Sequence, residues 1–221
     1  GAMTALWNAG THVYGSGTYR LELGDDSVLR VKKNGNTVWN SPNAPINSII
    51  NDWHYFYEPT AGIGGRTQGY SSSHLGVDIG SGVSTSTNLY AIGEGIATFK
   101  YAYVKDSNDG IIKNSSWGNH IELQTPGTGM ARYAHLSAFA NGYAVSPYIQ
   151  NIMTSSGSTY KITGTKAVSR GEYLGKIGNT GYSYGVHLHF EYLVNGIRVN
   201  PDEHVKLPGG TECNNNEVTY K

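Results

Sequence analysis

The sequence predicts a mainly β protein of antiparallel strands, and three observations carry that prediction. Helical periodicity is scarce along the 221 residues. Short stretches instead alternate apolar with polar residues, the period expected of strands that bury one face. Turn formers then separate those stretches, among them Asn34-Gly35, Asn108-Asp109-Gly110, Pro126-Gly127 and Asn195-Gly196. In order, strands are expected at 19–23, 28–32, 89–104, 119–124, 130–136, 173–177 and 187–194. One short helix is expected at 46–55, where Asn47 or Ser48 can cap the first turn. Two stretches, 105–117 and 138–166, read as long loops or insertions around the sheet.

Two prolines in Ser41-Pro42-Asn43-Ala44-Pro45 break any regular element, so a boundary is expected there. This divides the chain into a small N-terminal β segment at 1–45, a main domain at 46–207 and a polar tail at 208–221. The first segment carries Tyr19-Arg20-Leu21-Glu22-Leu23-Gly24-Asp25-Asp26-Ser27-Val28-Leu29-Arg30-Val31 followed by Asn36-Thr37-Val38-Trp39. It resembles one repeat of the bulb-type mannose-binding lectins, a fold that needs three repeats to close. Of that family's sugar-binding pattern Asp25 is retained, but Leu23, Ser27, Leu29 and Val31 replace the other positions. Mannose binding is therefore not assigned, and a β-hairpin or the end of a truncated module is expected.

Composition removes several function classes. Lys plus Arg equal Asp plus Glu at 16 each and charged residues are 14% of the chain, so no basic face exists to neutralise a nucleic-acid backbone. The single cysteine, Cys213, excludes an intrachain disulfide and any cysteine-rich zinc site. No apolar run reaches the length of a membrane span, and no signal peptide is visible. Gly1-Ala2-Met3 has the look of a cleavage scar, so the natural N-terminus is expected to differ. The 17 tyrosines, set among Asn, Ser, Thr and Gly, suit a surface that binds polar extracellular polymers, although strands also favour tyrosine.

The chemistry concentrates in two places. In His187-Leu188-His189 two imidazoles at i and i+2 share one strand face, with Leu188 and Phe190 turned to the core. In His74-Leu75-Gly76-Val77-Asp78 an extended chain likewise puts His74, Gly76 and Asp78 on one face. Two histidines and one aspartate meet the needs of a hydrolytic zinc site, which uses three protein ligands and keeps a position for water. The other histidines are His12, His54, His120, His135 and His204, and His135 is the most suggestive because it ends the strand carrying Tyr133. His12 and His204 read as surface residues and His54 as a packed edge. Gly76, Gly93, Gly95, Gly181 and Gly185 read as turns and close backbone approaches.

Five motifs in order then match a known family: His74-Leu75-Gly76-Val77-Asp78-Ile79, Leu89-Tyr90-Ala91-Ile92-Gly93-Glu94-Gly95, Trp117-Gly118-Asn119-His120-Ile121-Glu122-Leu123, Tyr133-Ala134-His135-Leu136 and Gly185-Val186-His187-Leu188-His189-Phe190-Glu191, closed by Val199-Asn200-Pro201. Over residues 69–201 the chain resembles the lysostaphin-type zinc endopeptidases of the LytM class. The resemblance implies an antiparallel β-sheet peptidase domain with a substrate groove lined by long loops. It implies that His74, Asp78 and His189 bind one Zn2+ and that His135 and His187 are catalytic histidines outside the ligand set. The HxH pair then supplies one ligand and one catalytic group rather than two ligands. The implied substrate is bacterial peptidoglycan, in cross-bridges or stem peptides, which places the protein outside the cell, at the wall or in the periplasm, as a secreted bacterial enzyme or a phage tail component. A monomer is expected.

Two other readings compete with this one. A non-enzymatic wall-binding or regulatory module of the same fold is disfavoured because every ligand is retained. A cupin is discounted because its glutamate would fall at 193 or 194, where Leu193 and Val194 stand. Candidate aromatic walls for the groove are Tyr101, Tyr103, Tyr143, Tyr148, Tyr182 and Tyr184, the last two adjacent to His187 in sequence.

Overall fold

The structure is a computed structural model that describes residues 18–23, 29–40, 58–125 and 129–210. The chain divides into two units, residues 1–55 and 56–221. The first holds β1 (Tyr19–Leu23), β2 (Leu29–Lys33) and β3 (Asn36–Asn40), antiparallel in that order. Asn34 and Gly35 join β2 to β3 with φ of 49° and 85°, the paired positive values of a type I′ turn whose twist suits a hairpin. The expected helix at 46–55, the boundary at 41–45 and Cys213 lie outside the described residues.

The second unit is two antiparallel sheets around one core. β4 (Gly65–Gln68), β5 (Val77–Ser81), β7 (Gly95–Lys105), β8 (Ile112–Gln124), β9 (Gly129–Ala134), β11 (Thr159–Val168) and β13 (Leu188–Val194) form the large sheet, in the order β11-β7-β8-β9-β13-β5-β4. β14 (Ile197–Val199) pairs with the second half of β13, completing eight strands. β6 (Asn88–Tyr90), β10 (Ala138–Phe139) and β12 (Tyr173–Lys176) form the small sheet, in the order β10-β12-β6. The fold is mainly β, as the alternation predicts. Among the described residues no helix is long and apolar enough to cross a membrane.

Three expected elements differ. The strand at 89–104 is two: β6 belongs to the small sheet and β7 to the large one, so residues 91–94 carry the chain between layers. That crossing is pinned where the Ile92 N–H donates to the Tyr133 hydroxyl at 2.9 Å. The expected loop at 105–117 is a turn only over 106–111; 112–117 are the first half of β8, whose Asn114 and Ser115 are buried and bonded to the Tyr148 carbonyl and the Ser158 hydroxyl. The expected loop at 138–166 likewise contains β10 and most of β11.

Register decides which face is core. Phe99, Ile121, Tyr133 and Phe190 lie in line across β7, β8, β9 and β13, and all are fully buried. They pack with Leu89, Leu174 and Phe139 of the small sheet. Leu188 and Phe190 are both in this core, as alternation requires. The residues one step away, Lys100, Glu122, Arg132, Glu191, His189 and Asp78, therefore occupy the opposite, polar face. Phe99 meets Phe139 at 5.4 Å and Tyr143 at 4.5 Å between ring centroids. Phe99→Ala is expected to cost about 3–5 kcal/mol in urea unfolding, because it removes the ring that both sheets share.

Candidate active site

β13 places His189 directly opposite Asp78 on β5 and opposite Ala134 on β9, so the first two side chains rise together from the polar face. His189 Nδ1 lies 2.7 Å from Asp78 Oδ1. His74 is not part of β5, contrary to the continuous extended stretch expected from 74 to 78. It is tied back to Ser71 by two backbone hydrogen bonds of 2.8 and 3.1 Å. Its Nδ1 donates to the Gly69 carbonyl at 2.9 Å, which leaves Nε2 to face Asp78 Oδ1 at 3.2 Å. One donor atom from each of His74, Asp78 and His189 lies within 4.8 Å of the others.

This donor set fits zinc. Two imidazoles and one carboxylate are a common catalytic ligand set, and tetrahedral coordination at roughly 2.0–2.2 Å needs donors about 3.3 Å apart. The surroundings also favour positive charge. Burial works against protonation of His189, but its hydrogen bonds to Asp78 and Glu191 outweigh that and raise its pKa to about 9. Burial likewise opposes the Asp78 charge, and the His189 hydrogen bond with the neighbouring imidazoles lowers its pKa regardless.

Two more imidazoles complete the cluster. His135 follows the end of β9 with φ of 66°, a left-handed conformation rare outside glycine, and its N–H donates to the Trp117 carbonyl at 2.9 Å. Its Nδ1 donates to the Thr180 carbonyl at 2.8 Å. Burial, reinforced by His187 and His189, pushes its pKa down to about 3, so the ring is neutral at neutral pH. His187 precedes β13, and its Nδ1 donates to the Gly185 carbonyl at 2.9 Å while Nε2 lies 3.8 Å from Asp78 Oδ1. The His135 and His187 ring centroids are 4.8 Å apart. All five residues singled out in the sequence thus converge.

Other candidates do not join them. His120 is buried beside Trp117, its Nδ1 bonded to the Gly118 carbonyl at 3.0 Å, and burial lowers its pKa to about 4. His204, expected at the surface, stacks half-buried on Tyr192. His12 and His54 lie outside the described residues. Tyr101, Tyr103 and Tyr148 pack on one another, and Tyr143 packs on Phe99. Tyr101 and Tyr143 accordingly belong to the core side of the sheet. Tyr182 and Tyr184 remain as candidate walls, 45% and 83% exposed, in the loop leading to His187.

Sequence reasoning gave no role to Ser183, Thr180 or Glu191. Ser183 is buried and its hydroxyl donates to Asn179 Oδ1 at 2.6 Å, closing the loop that aims His187. The available signal for Glu191 was its position two residues beyond His189, on the same strand face.

Residues 148–201 match the model of Peptidase family M23. That segment includes His187 and His189, while His74, Asp78 and His135 lie upstream of it. Over 106 residues the chain is 31% identical to the peptidoglycan DD-endopeptidase ShyC of Vibrio cholerae, which covers 46% of this chain and 19% of that protein. Over 128 residues it is 29% identical to the DD-carboxypeptidase/endopeptidase Mpg of Neisseria meningitidis, covering 58% of this chain and 22% of that protein. The chain thus spans about a fifth of the length of these curated relatives. A solved structure it is similar to is the antimicrobial peptidase lysostaphin from Staphylococcus simulans, with a TM-score of 0.41 and 24% identity, over 67% of this chain and 51% of that one.

Proposed function

We propose that this chain, whose residues 148–201 match the model of Peptidase family M23, is a zinc metalloendopeptidase acting on the peptides of bacterial peptidoglycan, in cross-bridges or stems. The observation that carries this reading is the convergence of His74, Asp78 and His189 at ligand spacing, with the rings of His135 and His187 beside them. His74 would contribute Nε2, Asp78 a carboxylate oxygen and His189 Nδ1. Bound there, one zinc ion acidifies water and polarises a carbonyl oxygen, the two requirements of amide hydrolysis.

The chain's own groups supply the rest. The Thr180 and Gly185 carbonyls hold the ring protons of His135 and His187 on Nδ1, so Nε2 of each ring is a free lone pair. His187, whose Nε2 reaches closest to Asp78, takes the proton of the attacking water and returns it to the departing amine. His135 is too buried to hold a proton at neutral pH, so it accepts a hydrogen bond from the water and orients it. Once protonated, His187 also stabilises the charge that develops on the tetrahedral intermediate. Tyr182 and Tyr184 would wall the substrate groove. Such a substrate places the protein at the wall, outside the cell or in the periplasm.

The test is digestion of purified walls of several cross-bridge chemistries with the zinc-loaded protein, followed by mass spectrometry of the released fragments. New amino termini within stem or bridge peptides, lost on chelation, are expected. Zinc-loaded protein that binds walls but cuts none of them would overturn the enzymatic reading in favour of a binding module.

A further inference from the structure

We infer that Glu191 is a positioning residue that grips the His189 ring at Nε2 and so leaves Nδ1, the nitrogen beside Asp78, as the one turned towards a metal ion. The inference rests on the reading of His189 as a metal ligand and adds a residue to it. Glu191 lies two positions beyond His189 on β13, and its side chain is 4% exposed. Its Oε1 lies 3.2 Å from His189 Nε2 and accepts from Trp117 Nε1 at 3.0 Å. Its Oε2 accepts from Arg132 and from Arg198 Nε, the latter at 2.9 Å. Four donors thus act on two oxygens, and the carboxylate has one orientation available.

The donors are themselves held. The Arg132 guanidinium lies 4.0 Å from the centroid of the Trp117 ring, and that of Arg198 lies 5.3 Å from it. Arg132 also donates to Glu122 at 2.8 and 3.2 Å, which ties the assembly to β8. Trp117 and both arginines can only donate, so the carboxylate they orient can only accept, and the ring nitrogen facing it must carry the proton. The two nitrogens of an imidazole lie on different edges of the ring. Glu191 at Nε2 and Asp78 at Nδ1 therefore flank His189 from different sides, which makes Glu191 a partner of the ligand rather than a ligand. A carboxylate behind the ring also makes Nδ1 a stronger electron-pair donor.

The alternative is that Glu191 only neutralises two arginines. The full chain, labelled with 15N-histidine and titrated with zinc alone, separates the two. In the zinc-loaded wild type the long-range 15N–1H spectrum should show the His189 proton on Nε2 and zinc on Nδ1; zinc on Nε2 would overturn the inference. In Glu191→Gln, whose amide nitrogen can replace Oε1, the zinc dissociation constant should rise about 10–100-fold and the Nε2–H tautomer should lose population. Arg198→Met, which frees the carboxylate from its more exposed side, should raise that constant by a smaller factor with the fold intact. Thermal destabilisation with zinc affinity and tautomer unchanged in both variants would leave Glu191 a purely structural anion. Asp78→Ala binding zinc as tightly as wild type would instead sink the ligand assignment itself.

Discussion

Asp78→Ala and His189→Ala are expected to lose zinc and turnover together, whereas His187→Ala keeps zinc and loses turnover by about 10²–10⁴-fold. The difference follows from what each side chain faces. Asp78 Oδ1 is the shared partner of His74 at 3.2 Å and His189 at 2.7 Å, so its removal leaves two imidazoles and no anionic ligand in the donor set. His187 is held by the Gly185 carbonyl, and its Nε2 lies 3.8 Å from Asp78 Oδ1. Losing it removes a proton acceptor and leaves all three donors in place. His135→Ala should behave like His187→Ala, with the smaller loss if orienting water is its whole role. Zinc stoichiometry by elemental analysis, measured alongside single-turnover cleavage of wall peptides, distinguishes these outcomes. Equal zinc loss in His187→Ala and His189→Ala would return the HxH pair to a two-ligand reading.

The parts of this site that were legible in the sequence are those that local periodicity controls. Alternation on β13 sends Leu188 and Phe190 to the core and leaves His189 and Glu191 on the opposite face. His135 shows where that reasoning stops. Alternation from Tyr133 would put it on the core side, but the strand ends at Ala134 and a left-handed residue redirects the ring towards His187. Nothing local announces that turn. Its partners, the Trp117 and Thr180 carbonyls, come from segments 18 and 45 residues away along the chain. The first half of β8 was hidden for the same reason. Asn114 and Ser115 read as loop residues because their hydrogen-bond partners lie on distant segments. The break at 91–94 is a change of sheet, which an apolar run does not record.

Gly76→Ala should disable the centre without removing any group that binds or reacts. An added Cβ would lie 2.5 Å from His189 Cε1, 2.8 Å from its Nε2 and 2.8 Å from the Phe190 carbonyl oxygen. Those contacts are too short to survive, so either the ring or the backbone must move. The ring is the poorer candidate, since Asp78 holds one of its nitrogens and Glu191 the other. Moving the backbone means separating β5 from β13, which displaces Asp78 from its position opposite His189. Either response misplaces a donor, and misplacement by about 1 Å can cost on the order of 10²-fold in turnover. Overpacking should also lower stability by about 1–3 kcal/mol. Gly65→Ala on the adjacent β4 is the matched control, because its nearest atom is Ser81 Cβ at 3.4 Å, an ordinary contact. Calorimetric zinc titration of the two variants should show at least a ~10-fold weaker dissociation constant for Gly76→Ala and a wild-type value for Gly65→Ala. Unchanged zinc binding and cleavage in Gly76→Ala would mean that the His189 ring is free to swing, and that its two carboxylate contacts do not hold it.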